Sequence, residues 1–169
     1  FGSAAWGDYD GDGDLDLVIT GWDSNDNRIS TIYENEGGTF TDIGAGLTGV
    51  YYSSSSWGDY DGDGDLDLVI TGQDSNNDRI STIYENEASS FTDLGAGLTG
   101  VALSSSSWGD YDGDGDLDLV ITGLSSNNNY INTIYENEGG SFTDIGAGLT
   151  GVQVAGELAA LRDERGLDA

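Results

Sequence analysis

Short apolar segments recur along the chain, separated by stretches rich in glycine, aspartate and asparagine. Residues 16–20 place apolar side chains on both faces, which is typical of a strand packed between two layers. Residues 29–33 are rich in β-branched residues and tyrosine, residues 40–43 form a further short segment, and the polar segment 53–57 opens the next group at a tryptophan. The pattern predicts groups of four short β-strands joined by tight turns.

The whole pattern is repeated three times. Trp6, Trp57 and Trp108 are 51 residues apart, and each opens the string Trp-Gly-Asp-Tyr-Asp-Gly-Asp-Gly-Asp-Leu-Asp-Leu-Val-Ile-Thr-Gly. Residues 6–56 and 57–107 differ at only 9 positions, so the units are close copies. Four antiparallel strands in about 50 residues match one blade of a β-propeller. A flat antiparallel repeat or a β-solenoid is the alternative, although solenoid coils are usually shorter.

We therefore expect an all-β protein of three four-stranded antiparallel propeller blades, each a repeat of 51 residues. The expected boundaries are 1–56, 57–107 and 108–156, followed by a short helical or disordered tail, 157–169. Propellers close with about four to eight blades. Three blades therefore predict either a partial propeller within a longer chain or a ring closed by oligomerisation, with six blades in a dimer.

The charge balance narrows the possible partners. The chain has 32 acidic and 4 basic residues, giving a formal net charge of -28. Binding to nucleic acid is excluded as a function class because phosphate contacts need Lys or Arg, and no apolar run reaches the roughly 18 residues of a membrane helix. His and Cys are absent, which excludes histidine triads and zinc sites of the usual ligands. A hydrophobic fraction of 36% argues against a disordered acidic chain.

Much of the acidic charge lies in one loop of each unit. Residues 8–16 read Asp-Tyr-Asp-Gly-Asp-Gly-Asp-Leu-Asp, and a D-x-D-x-D-G opening wraps oxygen ligands around one calcium ion. We expect side-chain oxygens from Asp8, Asp10, Asp12 and Asp16 and the main-chain carbonyl from Asp14. The corresponding residues of the other two loops are Asp59, Asp61, Asp63, Asp65, Asp67, Asp110, Asp112, Asp114, Asp116 and Asp118.

Three calcium ions per chain are therefore expected, one in each loop. The alternative is a solvated acidic turn, but carboxylates about 5 Å apart repel by about 0.8 kcal/mol per pair even at the permittivity of water. Magnesium fits less well because it keeps its waters and needs a stricter octahedron. An EF-hand is excluded, since Ile19 stands where that motif needs a bidentate glutamate.

The segment from Phe1 to Gly21 resembles an FG-GAP repeat of the VCBS type, as do residues 32–35 and 40–42. The opening Phe-Gly is present, whereas the closing Gly-Ala-Pro is replaced by Gly-Trp, Gly-Gln and Gly-Leu in the three units. The resemblance covers about 155 residues. It implies an integrin-α-like propeller with one calcium ion in each acidic loop. It also implies an extracellular or cell-surface setting and a role in adhesion or ligand binding.

The positions that differ between units indicate where a ligand binds. Most lie between the second and third strands or after the fourth, on the face opposite the acidic loops. Aromatic residues there are suited to stacking on a glycan or gripping a protein. The candidates are Trp22, Arg28, Tyr51, Tyr52, Gln73, Arg79 and Tyr130. Packing between blades is the alternative explanation of these differences.

Two function classes remain after this reasoning. The first is a calcium-binding extracellular module that binds a glycan or protein ligand. The second is a structural spacer or self-assembling repeat scaffold without a ligand of its own, or a non-catalytic domain of a larger secreted enzyme. An enzyme is not expected, because the paired carboxylates lie in metal loops and nothing supplies a distinct acid and nucleophile.

Overall fold

The structure is a computed structural model that describes residues 1–146, and twelve β-strands and no helix occur in that range. Each run of four strands is called a sheet below. The first sheet comprises β1 (Ser3–Gly7), β2 (Asp16–Trp22), β3 (Arg28–Glu36) and β4 (Thr39–Asp42). The second comprises β5 (Tyr51–Gly58), β6 (Asp67–Gln73), β7 (Arg79–Glu87) and β8 (Ser90–Asp93). The third comprises β9 (Val101–Gly109), β10 (Asp118–Ser125), β11 (Tyr130–Glu138) and β12 (Ser141–Asp144).

Every sheet is an antiparallel meander in which neighbours in sequence are neighbours in space. The second and third sheets are joined by one residue pair, Ile80 with Val101, and the equivalent pair Ile29 with Val50 joins the first two. The predicted all-β antiparallel class is confirmed. Closure into a complete propeller stays a prediction, and the predicted tail, 157–169, lies outside the described residues together with 147–156.

The strands are longer than the apolar segments that predicted them. β2 and β3 extend to Trp22 and Arg28 because these two residues still pair across the hairpin. β5 begins at Tyr51, so it crosses the boundary drawn at residue 57. The repeat was counted from the tryptophan, whereas the strand that carries it starts six residues earlier.

The core lies between the faces of successive sheets. Alternation along β6 directs Leu68 and Ile70 into the cluster shared with the first sheet, while Val69 enters the cluster shared with the third. Both clusters consist of fully buried aliphatic residues and buried tyrosines. β6 is therefore buried on both faces, which explains why this segment is apolar at successive positions.

No helix long and apolar enough to cross a bilayer occurs between residues 1 and 146.

Candidate metal centres and ligand face

Each acidic loop connects the first two strands of its sheet and brings three carboxylates together. In the first loop, oxygen atoms of Asp8, Asp10 and Asp16 lie within 4.8 Å of one another. The described residues contain two further groups of the same kind, Asp59 with Asp61 and Asp67, and Asp110 with Asp112 and Asp118. The sequence placed all nine residues among the expected ligands.

Main-chain hydrogen bonds hold the loop in this shape. The Gly13 N–H donates to Asp8 Oδ2 (3.1 Å), and the Asp12 N–H donates to Asp10 Oδ1 (3.2 Å). Gly13 has φ of 97°, a conformation in which a side chain would be strained. The glycine at the sixth loop position is therefore needed for the turn that folds the first carboxylate back over the loop.

The remaining two aspartates of the loop make different contacts. Asp12 Oδ1 accepts from the Asp14 N–H (2.8 Å), and Asp14 Oδ2 accepts from the Gly37 N–H (3.0 Å) in the β3–β4 turn. Neither carboxylate belongs to the converging group, and the same holds for Asp63, Asp65, Asp114 and Asp116. The Asp14 side chain ties the loop to the adjacent turn, which leaves its carbonyl as the group to consider for a metal. Ligation by Asp12 and by the Asp14 carbonyl stays a prediction.

The last aspartate of each loop is buried at the start of the second strand. Asp16 accepts from the Tyr9 N–H (3.1 Å) and the Asn35 N–H (2.8 Å), and burial raises its pKa. The same burial raises the pKa of Asp67 to about 6, against hydrogen bonds that lower it. These carboxylates link the loop to the core, so a change in their charge changes the stability of the folded chain.

The residues present fit a hard cation. Asp8 Oδ1 is buried and has no hydrogen-bond partner among the described residues. An orphaned buried carboxylate oxygen is costly without compensation, and it lies beside two further carboxylates that repel it. Oxygen-only donors with this charge suit a divalent cation such as calcium.

The raised pKa of Asp67 predicts how stability depends on pH when calcium is absent. A carboxyl whose folded pKa lies near 6, above the unfolded value of 3.8, binds its proton more tightly in the folded chain. Its stabilising effect is therefore present below about pH 4 and lost as pH rises through about 6. We expect urea denaturation in calcium-free buffer to show lower stability at about pH 7 than at about pH 4.5.

Repulsion among the many other negative charges of the chain also weakens as the pH falls, which stabilises the folded chain in the same direction. Asp67→Asn separates the two effects because it keeps an acceptor oxygen and cannot titrate. The variant should lose part of the pH dependence. An unchanged slope in this variant would assign the dependence to other groups.

The face opposite the acidic loops carries an aromatic cluster between the first two sheets. Trp22 and Tyr51 meet edge to face with ring centroids 5.3 Å apart, and the Arg28 guanidinium lies 4.4 Å from the Tyr51 centroid. Tyr52 packs on Tyr51 at 4.3 Å, and Phe1 packs on Tyr52 at 5.1 Å. Trp22 remains 47% exposed, so its ring forms an accessible platform.

Arg28 acts as a support of this cluster. Its Nη2 donates to Asn77 Oδ1 (2.7 Å), and its Nη1 is buried without a hydrogen-bond partner among the described residues. The guanidinium is thus anchored to the next sheet and lies at cation–π distances from both Trp22 and Tyr51. The cluster is held in place before any ligand arrives.

The other candidate ligand residues lie elsewhere. Arg79 repeats the anchor by donating to the Ser125 carbonyl and to Asn128 Oδ1, but Gln73 occupies the position of Trp22 and donates to the Asn77 carbonyl (2.8 Å). Tyr130 is exposed in the third sheet, at the position that Arg28 and Arg79 occupy in the first two sheets. The structure therefore assembles four of the seven candidates, Trp22, Arg28, Tyr51 and Tyr52, into one cluster. Phe1 was missed, because nothing in the sequence shows its packing on Tyr52.

Comparisons with known proteins bear on both sites. A family model described as an FG-GAP-like repeat matches residues 8–70 and again residues 59–121. Among solved structures, the chain is similar to a fucose lectin from Kordia zhangzhouensis in complex with methyl-fucoside, with a TM-score of 0.56 and 11% identity over 85% of this chain and 96% of that one. Identity this low shows a shared fold alone. No curated protein matches the chain in sequence.

Proposed function

The chain belongs to the FG-GAP-like repeat family, and from this membership we propose that it is a calcium-binding β-propeller module that binds a carbohydrate on the face opposite its acidic loops. The observation that carries the ligand site is the exposed Trp22 ring, held against Tyr51 beside the anchored Arg28. The observation that carries the metal sites is the convergence of three carboxylates in every loop.

The proposed calcium sites use the chain's own residues in distinct ways. In the first loop, Asp8, Asp10 and Asp16 hold the ion, and the bound ion supplies positive charge that offsets their repulsion. Asp12 and the Asp14 carbonyl add two more of the six to eight oxygen ligands that calcium takes, and water supplies the rest. Three ions per chain would remove six of the 28 net negative charges. We propose an extracellular or cell-surface setting, in which calcium modules of modest affinity work.

The proposed ligand is a carbohydrate because of the chemistry of the cluster. An exposed indole face stacks on the apolar face of a sugar ring, and tyrosine adds a hydroxyl that can hydrogen-bond. The structurally similar lectin was solved with methyl-fucoside, which supports carbohydrate as the ligand class. Its individual binding residues are not transferred to this chain at 11% identity.

Loss of the indole tests the ligand site. Trp22→Ala is expected to weaken binding to the preferred glycan of an array by about tenfold, because the stacking surface is removed. Gln73→Ala is the matched control, since Gln73 occupies the same position in the second sheet. Binding should be measured in millimolar calcium on fucosides and other neutral glycans. Equal binding by wild type and Trp22→Ala would move the ligand site elsewhere.

A scaffold without its own ligand is the second candidate function. It is favoured by the exposed aromatic residues at the two outer faces of the stack, Trp6 on the first sheet and Tyr111 on the third. Absence of binding to every glycan and protein tested, together with self-association, would support it. In either case we propose no catalytic role, because Asp42 is engaged in capping the Gly44 N–H (2.8 Å) and the loop carboxylates serve the metal.

A further inference from the structure

Successive sheets contact one another through the same aromatic arrangement at both boundaries. The Tyr9 ring of the first acidic loop stacks on Trp57 with centroids 6.3 Å apart and planes at 16°, and Tyr60 stacks on Trp108 with the same values. Each tyrosine also contacts a phenylalanine of the following sheet, at 5.7 and 5.6 Å. The same packing of tyrosine, tryptophan and phenylalanine therefore occurs at both boundaries between successive sheets.

A glycine makes room for the incoming tryptophan at each boundary. A Cβ built on Gly7 would lie 2.7 Å from the Trp57 ring, and one built on Gly58 would lie 2.6 Å from the Trp108 ring. Real Cβ contacts are not this short, so any side chain at these glycines would displace the tryptophan. The tryptophan also donates through Nε1 to a main-chain carbonyl of the preceding sheet, as Trp57 does to Ala5 (3.3 Å).

The outer face of the first sheet presents the incoming half of this arrangement. Trp6 is 58% exposed and Phe40 is 45% exposed. Their ring centroids are 6.0 Å apart, as for Trp57 with Phe91 (6.0 Å) and Trp108 with Phe142 (6.1 Å). Trp6 and Phe40 therefore already have the relative geometry in which the tryptophan and phenylalanine of the other two sheets contact a tyrosine of the preceding unit.

The outer face of the third sheet presents the receiving half. Tyr111 is 51% exposed, whereas its counterpart Tyr9 is 3% exposed. Among residues 1–146, no atom lies within 4 Å of a Cβ built on Gly109. A cavity of about 320 Å³ opens there, lined by Trp108, Gly109, Tyr111 and Val120 among others. Tyr111 is held in position because its hydroxyl donates to Glu136 (2.9 Å).

A buried asparagine supplies a polar link at both internal boundaries. Asn86 Nδ2 donates to the Tyr9 carbonyl (2.9 Å), and Asn137 Nδ2 donates to the Tyr60 carbonyl (2.7 Å). Asn35 is the equivalent residue of the first sheet, and its Nδ2 donates to the Leu15 carbonyl (3.0 Å), as Asn86 does to Leu66. This bond orients the Asn35 amide so that its second N–H faces the position of a preceding sheet.

We propose that the first sheet of one copy docks on the third sheet of a second copy, with Trp6 entering the cavity above Gly109 and Tyr111 stacking on Trp6 and Phe40. Asn35 then donates to the Tyr111 carbonyl of the second copy. Both faces exist on every chain, so the contact is head-to-tail and closes when the rotation allows. A ring built from copies of these 169 residues alone contains a multiple of three sheets, and six is the only such number within the four to eight of known propellers. The expected assembly is therefore a dimer.

Charge repulsion opposes the association. Each chain carries a net charge of -28, so added salt and bound calcium should strengthen the dimer. The docked aromatic contacts are apolar and are not weakened by screening. Association that rises with ionic strength therefore distinguishes this interface from one formed by ion pairs.

Sedimentation of the whole chain in millimolar calcium tests the proposal. The expected species has twice the chain mass of 17.6 kDa. Trp6→Ala is expected to give the monomer, whereas Trp22→Ala, which removes an exposed tryptophan on another face, should remain dimeric. A wild-type chain that stays monomeric at all accessible concentrations overturns the proposal, and so does a Trp6→Ala variant that associates like wild type.

A second variant separates docking from folding. Gly109→Val places a side chain where residues 1–146 leave open space, so the melting curve of the monomer should be normal, yet that side chain would overlap an incoming Trp6. We expect a folded monomer. Thr143→Val, an exposed substitution on β12, is the matched control and should remain dimeric. Unchanged dimerisation of a folded Gly109→Val variant would contradict the proposed cavity.

Discussion

Removing calcium is expected to lower the free energy of unfolding of this chain by about 4 kcal/mol. Extracellular calcium modules bind with dissociation constants of roughly 0.1–1 mM. At ten times that constant, each site stabilises the folded chain by about 1.4 kcal/mol, and three sites act together. The loss is a large part of the 5–15 kcal/mol that is typical of folded domains.

The structure supplies the physical reason for so large an effect. Without the ion, three carboxylates within 4.8 Å of one another repel in each loop, and in the first loop Asp8 Oδ1 is buried with no hydrogen-bond partner among residues 1–146. The loop also carries Tyr9, whose ring packs on Trp57 of the next sheet. Loosening the loop therefore weakens the contact between sheets as well as the loop itself.

Urea denaturation in millimolar calcium and in excess chelator measures the effect, and calorimetric titration should give about three ions per chain. Asp10→Asn keeps the acceptor for the Asp12 N–H but removes one ligand charge, so about a third of the calcium effect should disappear. Asp26→Asn is the matched control, because the second unit carries Asn77 there. Identical denaturation curves in calcium and chelator, or an equal response to magnesium, would contradict the calcium sites.

The acidic loops could be predicted from the sequence because their information is local. Carboxylates at alternate positions with glycine at the sixth specify both ligand type and turn, and the structure brings Asp8, Asp10 and Asp16 together as that spacing indicates. The repeat period likewise predicted four antiparallel strands per unit. The local sequence does not determine which of the five carboxylates converge, because this also depends on distant residues. The Asp14 carboxylate, for example, accepts a hydrogen bond from the N–H of Gly37, 23 residues away.

Contacts between units were less accessible to sequence reasoning. Tyr9 is part of every description of the loop, but its partner Trp57 lies in the following sheet, and only the relative placement of two sheets reveals the stacking. The aromatic cluster is similar. The variable positions Trp22, Arg28 and Tyr51 were identified as a face, whereas the anchoring of Arg28 on Asn77 depends on residues 49 apart.

Truncation of Trp57 is expected to lower the free energy of unfolding by about 3 kcal/mol, the low end for a packed tryptophan because its ring is half-buried. The ring fills the space left by Gly7, stacks on Tyr9 and contacts Phe91 at 6.0 Å. Its Nε1 also donates to the Ala5 carbonyl, so Trp57→Ala leaves that acceptor without its partner. Gly7 and Ala5 belong to the first sheet, and Tyr9 belongs to the loop that follows its first strand.

The substitution should therefore weaken the contact between the first two sheets rather than the stability of either sheet alone. In a repeat array, stability is a sum of unit and nearest-neighbour terms, and weakening one boundary lets units unfold separately. Urea denaturation of Trp57→Ala should show a broader transition than wild type, while Trp22→Ala, which loses one edge-to-face contact with Tyr51, should be destabilised by only about 1 kcal/mol. A sharp, unshifted transition in Trp57→Ala would mean that the tyrosine–tryptophan stacking does not couple the first two sheets.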